Sequence, residues 1–165
     1  QAQTIEGQYE VASEIMRYAV KLGVKTIVTI GGYRKEAEEA PQVVAVSTNT
    51  ELLKRALEAK AVASPSGNPI VGTAGLLLGL ARFMGIEALC LLGETRGYLP
   101  DPVAAKSVLM VLKTMLSLQI DLSKLDAQIE KSKEIVSRMR EIEEKRERYS
   151  RKMRRSEEER ITYIS

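Results

Sequence analysis

Two short clusters hold the chemistry that this sequence can offer. Gly93-Glu94-Thr95-Arg96-Gly97 puts one carboxylate and one guanidinium directly behind the apolar run Ile86–Leu92. Ligand sites of α/β sheets lie at the carboxyl ends of strands. Glu94 and Arg96 are therefore placed for polar recognition or acid–base work, and the same two residues also make a plain loop ion pair. Gly72-Thr73-Ala74-Gly75 precedes a strongly apolar helical stretch. Free amides at a helix start cradle anions, while a tight turn where backbone approaches backbone has the same composition. The segment has neither the GxGxxG nor the GxxxxGK[ST] pattern of a phosphate loop. An anion loop at Gly72, Thr73 and Gly75 and a structural turn both stay open.

What is missing narrows the chemistry further. There is no histidine among the 165 residues, which removes the commonest general base and the commonest metal ligand. The single cysteine, Cys90, lies inside the apolar run, where a thiol usually serves as a small hydrophobe. One cysteine permits neither an intramolecular disulfide nor a CxxC metal site, so no metal and no cofactor is expected. Trp is absent and Phe occurs once, so stacking platforms for bases are scarce. With 25 basic and 22 acidic residues, the formal charge is +3. That excludes a uniformly basic nucleic-acid binder. No apolar run approaches the length of a membrane span, and the N-terminus shows no signal-peptide pattern. An unpaired thiol suits a reducing, cytoplasmic compartment. The Lys-, Arg- and Glu-rich composition leans towards a thermophile.

The elements that must position these clusters alternate between helix and strand. Val11, Ile15, Tyr18, Ala19 and Leu22 recur at helical spacing and predict a helix over 8–22, ended by Gly23. Residues 26–30 form a β-branched run closed by Gly31-Gly32, and 43–47 form a second strand. The charged stretch from Tyr33 to Pro41 reads as a loop. Thr48 or Asn49 can cap a helix over 49–58, with Leu52, Leu53, Ala56 and Leu57 inside. An apolar helix ends near Met84, and residues 86–92 form a strand ended by Gly93 and apolar enough to be buried on both faces. Asp101-Pro102 is a strong helix start, with the helix expected to reach about Leu118. The order predicts an α/β layered domain with three clear strands.

Composition changes after about residue 120. Residues 121–165 hold 13 of the 25 basic and 11 of the 22 acidic groups. Leu122, Leu125, Ile129, Val136 and Met139 keep a heptad register, and Glu134/Arg138 and Glu141/Lys145 are favourably oriented i,i+4 pairs. This predicts a core domain over 1–120 and a long charged helical arm over 121–165. The run Arg146–Arg155 carries six positive charges and one negative, followed at once by Glu157-Glu158-Glu159. Alternating blocks of this kind are usually a solvated face, so nucleic acid is an unlikely partner. Apolar and aromatic residues then return in Ile161, Tyr163 and Ile164, ahead of Ser165. Such a tip can insert into a partner's pocket, and it can also fold back on its own domain.

Several blocks occur in a recognisable order. They are Gly7-Gln8-Tyr9-Glu10, Thr29-Ile30-Gly31-Gly32-Tyr33, Pro69 to Gly79, Leu91-Leu92-Gly93-Glu94-Thr95-Arg96-Gly97-Tyr98, Asp101-Pro102-Val103-Ala104-Ala105-Lys106 and Ile120-Asp121-Leu122-Ser123. Over about residues 5–145 the chain resembles the proteasome assembly chaperone family, in particular its archaeal members, one type of which assists or activates the proteasome. The resemblance implies a three-layer α/β/α sandwich similar to nucleoside phosphorylases. It also implies that further N-terminal strands belong to the complete domain, so that this chain corresponds to the C-terminal two-thirds. It further implies a non-enzymatic homo-oligomer that docks on the α-ring of the proteasome core particle. Some members dock through a C-terminal hydrophobic–Tyr–any tripeptide. Here Tyr163 is third from the end and follows Thr162, a shifted version, which makes Ile161, Tyr163, Ile164 and Ser165 the expected partner contacts. The competing expectation is a small-molecule enzyme of nucleoside-phosphorylase-like or ATP-grasp-like type, with its site near Gly72–Gly75 and Glu94–Arg96.

Overall fold

The computed structural model describes residues 4–35, 41–65, 70–95, 97, 100–135, 137, 138, 142 and 145. The chain divides into two compact units, Gln1–Leu122 and Ser123–Ser165. The first is a mixed α/β unit. Its elements are α1 (Ile5–Lys21), β1 (Thr26–Arg34), β2 (Val43–Ser47), α2 (Thr50–Glu58), β3 (Val62–Ala63), α3 (Thr73–Phe83), β4 (Glu87–Thr95) and α4 (Pro102–Met115). In the second unit, residues 123–135 are helical, as are 137, 138, 142 and 145.

The sheet runs in the order β1-β4-β2-β3. β4 pairs in parallel with β1 and antiparallel with β2, and β3 adds to β2 in parallel. Because side chains alternate along a strand, β4 contributes to two separate cores. Leu89 and Leu91 pack with Val43, Ala45, Ala56, Ala59, Val108 and Leu112, the side of α2 and α4. Ala88 and Cys90 pack with Ala12, Met16, Leu77 and Ala81, the side of α1 and α3. Full burial of a leucine side chain contributes about 1.5–3 kcal/mol. β4 thus stabilises both layers at once, in agreement with the apolar run read from the sequence.

The structure departs from the sequence reading in several places. β1 and β4 do not stop at their glycines. The ladder continues through Gly31↔Leu92 and Gly32↔Gly93 to Tyr33↔Glu94 and Arg34↔Thr95. Tyr33 and Arg34, expected in a loop, are therefore strand residues. A fourth strand, β3, is only two residues long and exposed, too short to leave a periodic signal. The inner face of α1 is Ala12, Met16 and Ala19, of which only Ala19 belongs to the stripe read from the sequence. Val11, Ile15, Tyr18 and Leu22 are 45%, 43%, 62% and 65% exposed. The apolar arc of α1 is wider than the surface it covers. Ala12, Met16 and Ala19 pack with Leu77, Leu78 and Ala81 of α3, and the rest of the stripe stays exposed on the flank.

All four helices of this unit end with a left-handed residue and a bond from the following amide back to the carbonyl five residues earlier. After α4, the Leu118 amide bonds to the Lys113 carbonyl at 3.0 Å and the Ser117 amide to that of Thr114 at 3.4 Å. This is the Schellman pattern, and it ends α4 at Met115, earlier than the expected Leu118. The residue that must turn left-handed is Gly23 after α1 and Gly85 after α3, but Lys60 after α2 and Ser117 after α4, at φ 73° and 51°. A side chain in that region costs roughly 1–2 kcal/mol, which a glycine avoids at some entropic cost. Lys60→Gly is therefore expected to stabilise the unit by about 1 kcal/mol. A denaturation midpoint that stays put or falls, at unchanged m-value, contradicts this account of the turn.

Candidate functional site

The site is built from the ends of three strands. β1 and β4 run in parallel, so both finish at one edge of the sheet, where antiparallel β2 begins. Glu94 lies one residue from the end of β4 and is 3% exposed. Its register partner Tyr33 donates its hydroxyl proton to Glu94 Oε1 at 2.5 Å. Lys35 Nζ donates to the same oxygen at 2.7 Å. The Gln42 amide donates to Oε2 at 3.0 Å, while the Glu94 amide donates to the Gln42 carbonyl at 2.9 Å. One carboxylate thus joins the chain on both sides of residues 36–40 to the central strand.

Burial works against a charge at Glu94 and pushes its pKa up. The hydrogen bonds from Lys35, Tyr33 and the Gln42 amide, with the charge of Lys35, outweigh that and hold the carboxyl at about 2. Tyr33 moves the opposite way. Burial first, and then the carboxylate beside it, push its hydroxyl up to about 12. Glu94 is thus an ionised acceptor at neutral pH and a poor proton shuttle, because a base suited to that pH needs a pKa near it. Its ammonium partner Lys35 is about half exposed. Thr95, next along β4, donates its hydroxyl to Asp101 Oδ2 at 3.0 Å. Asp101 Oδ1 accepts the Ala104 amide at 3.0 Å as the cap of α4. The expected Asp-Pro helix start is present, and Asp101 also ties that start to β4.

The second cluster has its own structural logic. Gly72 is the N-terminal flanking residue of α3, at φ 90° and ψ −176°, and makes no side-chain cap bond. A Cβ on Gly75 would lie 2.2 Å from the Ile70 carbonyl oxygen, so only glycine fits there. Thr73 opens the helix and is half-buried. α3 leads through Gly85 into the start of β4 and packs in the same core as Ala88 and Cys90 of that strand. Among the described hydrogen bonds none joins Gly72–Gly75 to Glu94.

Arg96, Ile161, Tyr163, Ile164 and Ser165 lie outside the described residues. Cys90 is buried in the sheet, and burial pushes its thiol pKa up, which keeps it protonated and unreactive. No cluster of metal-ligating side chains occurs among the described residues. Tyr33, Lys35 and Gln42 are the site residues missed by sequence reasoning. The only available signal was the two-residue spacing of Tyr33 and Lys35, which puts both on one face once β1 is known to continue past Gly32.

The linkage at Glu94 has a definite sign. Its folded pKa, about 2, lies below its ordinary value of 4.5. The stability it contributes is complete above pH about 4.5 and is lost as the pH falls from there towards 2, on the order of 3 kcal/mol in all. Glu94→Gln is expected to flatten the stability–pH curve across that acid window and to lower the ionisation of Tyr33 from about 12. Denaturant titrations at a series of pH values and an ultraviolet tyrosine titration read the two effects. Parallel curves for the two proteins would contradict the assigned charge state.

Comparison with known proteins places this geometry in a family. The model of the PAC2 family matches residues 1–140. PbaB of Pyrococcus furiosus, described as an archaeal proteasome activator, is 32% identical, with a TM-score of 0.76 over 84% of this chain and 60% of that one. PbaA of the same organism, described as an archaeal homolog of proteasome-assembly chaperone, is 29% identical with a TM-score of 0.72, over 90% of this chain and 61% of that one. The uncharacterized protein MJ1210 of Methanocaldococcus jannaschii is 35% identical over 140 residues, 84% of this chain and 54% of that protein. This chain thus spans less than two-thirds of the length of these relatives. With the match running through β1, β4 and α4 and so through the whole Glu94 site, the chain belongs to the PAC2 family.

Proposed function

We propose that this protein is a proteasome assembly chaperone or activator. In this reading it self-associates in the cytoplasm and docks on the α-ring of the proteasome core particle through Ile161, Tyr163, Ile164 and Ser165. The observation that carries the reading is its similarity to PbaB, 32% identical at a TM-score of 0.76 over 84% of the chain. The sequence supports it as well: a compact α/β unit is followed by a charged, helix-forming stretch and then by an apolar, tyrosine-bearing end. Several copies would present several ends, and avidity would multiply weak single contacts. No helix among the described residues is long and apolar enough to cross a membrane.

The enzymatic alternative draws less support from the geometry. The carboxylate of Glu94 is occupied by three donors of its own chain. Gly75 has a packing reason that needs no ligand.

Pull-down of purified archaeal core particles by the full chain, and by the chain lacking 161–165, tests the proposal. The full chain is expected to bind and the shortened one to lose most of that binding while keeping its circular dichroism spectrum. Binding that survives the deletion overturns the docking assignment. Absence of binding by either form overturns the proteasome role for this chain.

A further inference from the structure

Glu94 and Thr95 are adjacent on β4, so their side chains leave opposite faces of the sheet. On one face Glu94 holds Tyr33, Lys35 and the Gln42 amide. On the other, the Thr95 hydroxyl donates to Asp101 and accepts the Gly97 amide at 3.2 Å. The Thr95 carbonyl accepts the Lys35 amide at 3.1 Å, so the backbone of one of these residues also secures the segment that the other's side chain secures. Asp101 passes the connection to the first turn of α4 through Ala104. Two consecutive residues therefore fasten Lys35, Gln42, Gly97 and a helix start.

The interior of β4 is held in a different way. Leu89, Cys90 and Leu91 are fully buried in apolar cores. Local opening in proteins follows such differences. Segments held by a few polar contacts open at lower cost than segments held by core burial, and contacts that share members open together.

We infer that Glu94 and Thr95 form a two-sided strap that makes Lys35, Gln42, Gly97 and the first turn of α4 open and close as one unit, separate from global unfolding. An event that holds or releases Gln42 is then felt at the N-terminus of α4, on the other face of the sheet. The inference does not depend on the proteasome reading, and its test uses no partner.

Native-state hydrogen exchange on the full chain measures this directly, at the amides of Lys35, Gln42, Gly97 and Ala104, with Leu89 and Leu91 as core references. Glu94→Gln removes the charge, and Thr95→Val removes the hydroxyl. Glu94→Gln is expected to speed exchange at Lys35 and Gln42 by about tenfold or more, the scale of a hydrogen bond to a charged group. Gly97 and Ala104 should follow by a similar factor, and the core references should hold. Thr95→Val should carry the effect in the reverse direction, to Gln42. Acceleration confined to the side that was mutated overturns the inference. So does an equal factor at every amide including Leu89 and Leu91, which is global destabilisation. If Glu94→Gln does not fold, the Thr95→Val arm decides alone by the same criteria.

Discussion

Leu89, Cys90 and Leu91 are fully excluded from water, and consecutive residues of a strand face opposite ways. Both faces of β4 must therefore be covered, and that requirement arranges the rest of the unit. α1 and α3 must lie on one side, and α2 and α4 on the other. β1 and β2 must flank β4, since a buried strand leaves its amides and carbonyls nowhere else to bond. The two flanking strands differ in direction, so the end of β4 meets the end of β1 and the beginning of β2. The site around Glu94 exists because of this meeting of ends.

A buried ionised carboxylate is not an economical way to hold three strand ends together. Well-packed apolar residues often serve stability as well or better. What charge and directed hydrogen bonds add is specificity: each donor has one place to be. Tyr33 and Lys35 fix how far β1 continues past its glycines, and Gln42 fixes where β2 starts. Gly72–Gly75 is specified differently, by steric exclusion at Ile70. The unit thus uses an electrostatic device at the end of β4 and a packing device at the start of α3.

Much of this was legible in the sequence where the determinants are local. Asn49 caps α2 through the Leu52 amide, and Asp101 with Pro102 starts α4, because capping involves residues three apart. The burial of β4 was legible because its apolar run is continuous. The buried face of α1 was not legible, because periodicity reports which residues are apolar, while tertiary packing decides which of them are covered. The partners of Glu94 were out of reach, separated from it by 61, 59 and 52 residues. A strand end and a charged loop have the same composition until their neighbour is known. In the sequence Glu94 stands out by its place behind an apolar strand, and nothing there names Tyr33, Lys35 or Gln42.

The exposed flank of α1 bears on how the chain behaves as a colloid. Val11, Ile15, Tyr18 and Leu22 form a continuous apolar stripe. β1, nine residues long, pairs with β4 alone among the described strands. An open strand edge is a template for further pairing. Against these attractions stands a formal charge of only +3 on 165 residues, a weak source of mutual repulsion. Salt screens even that repulsion over about 10 Å at 0.1 M, and it leaves apolar attraction intact. Solubility of the chain by itself is therefore set by whether the α1 stripe and the β1 edge are covered, and only slightly by its charge.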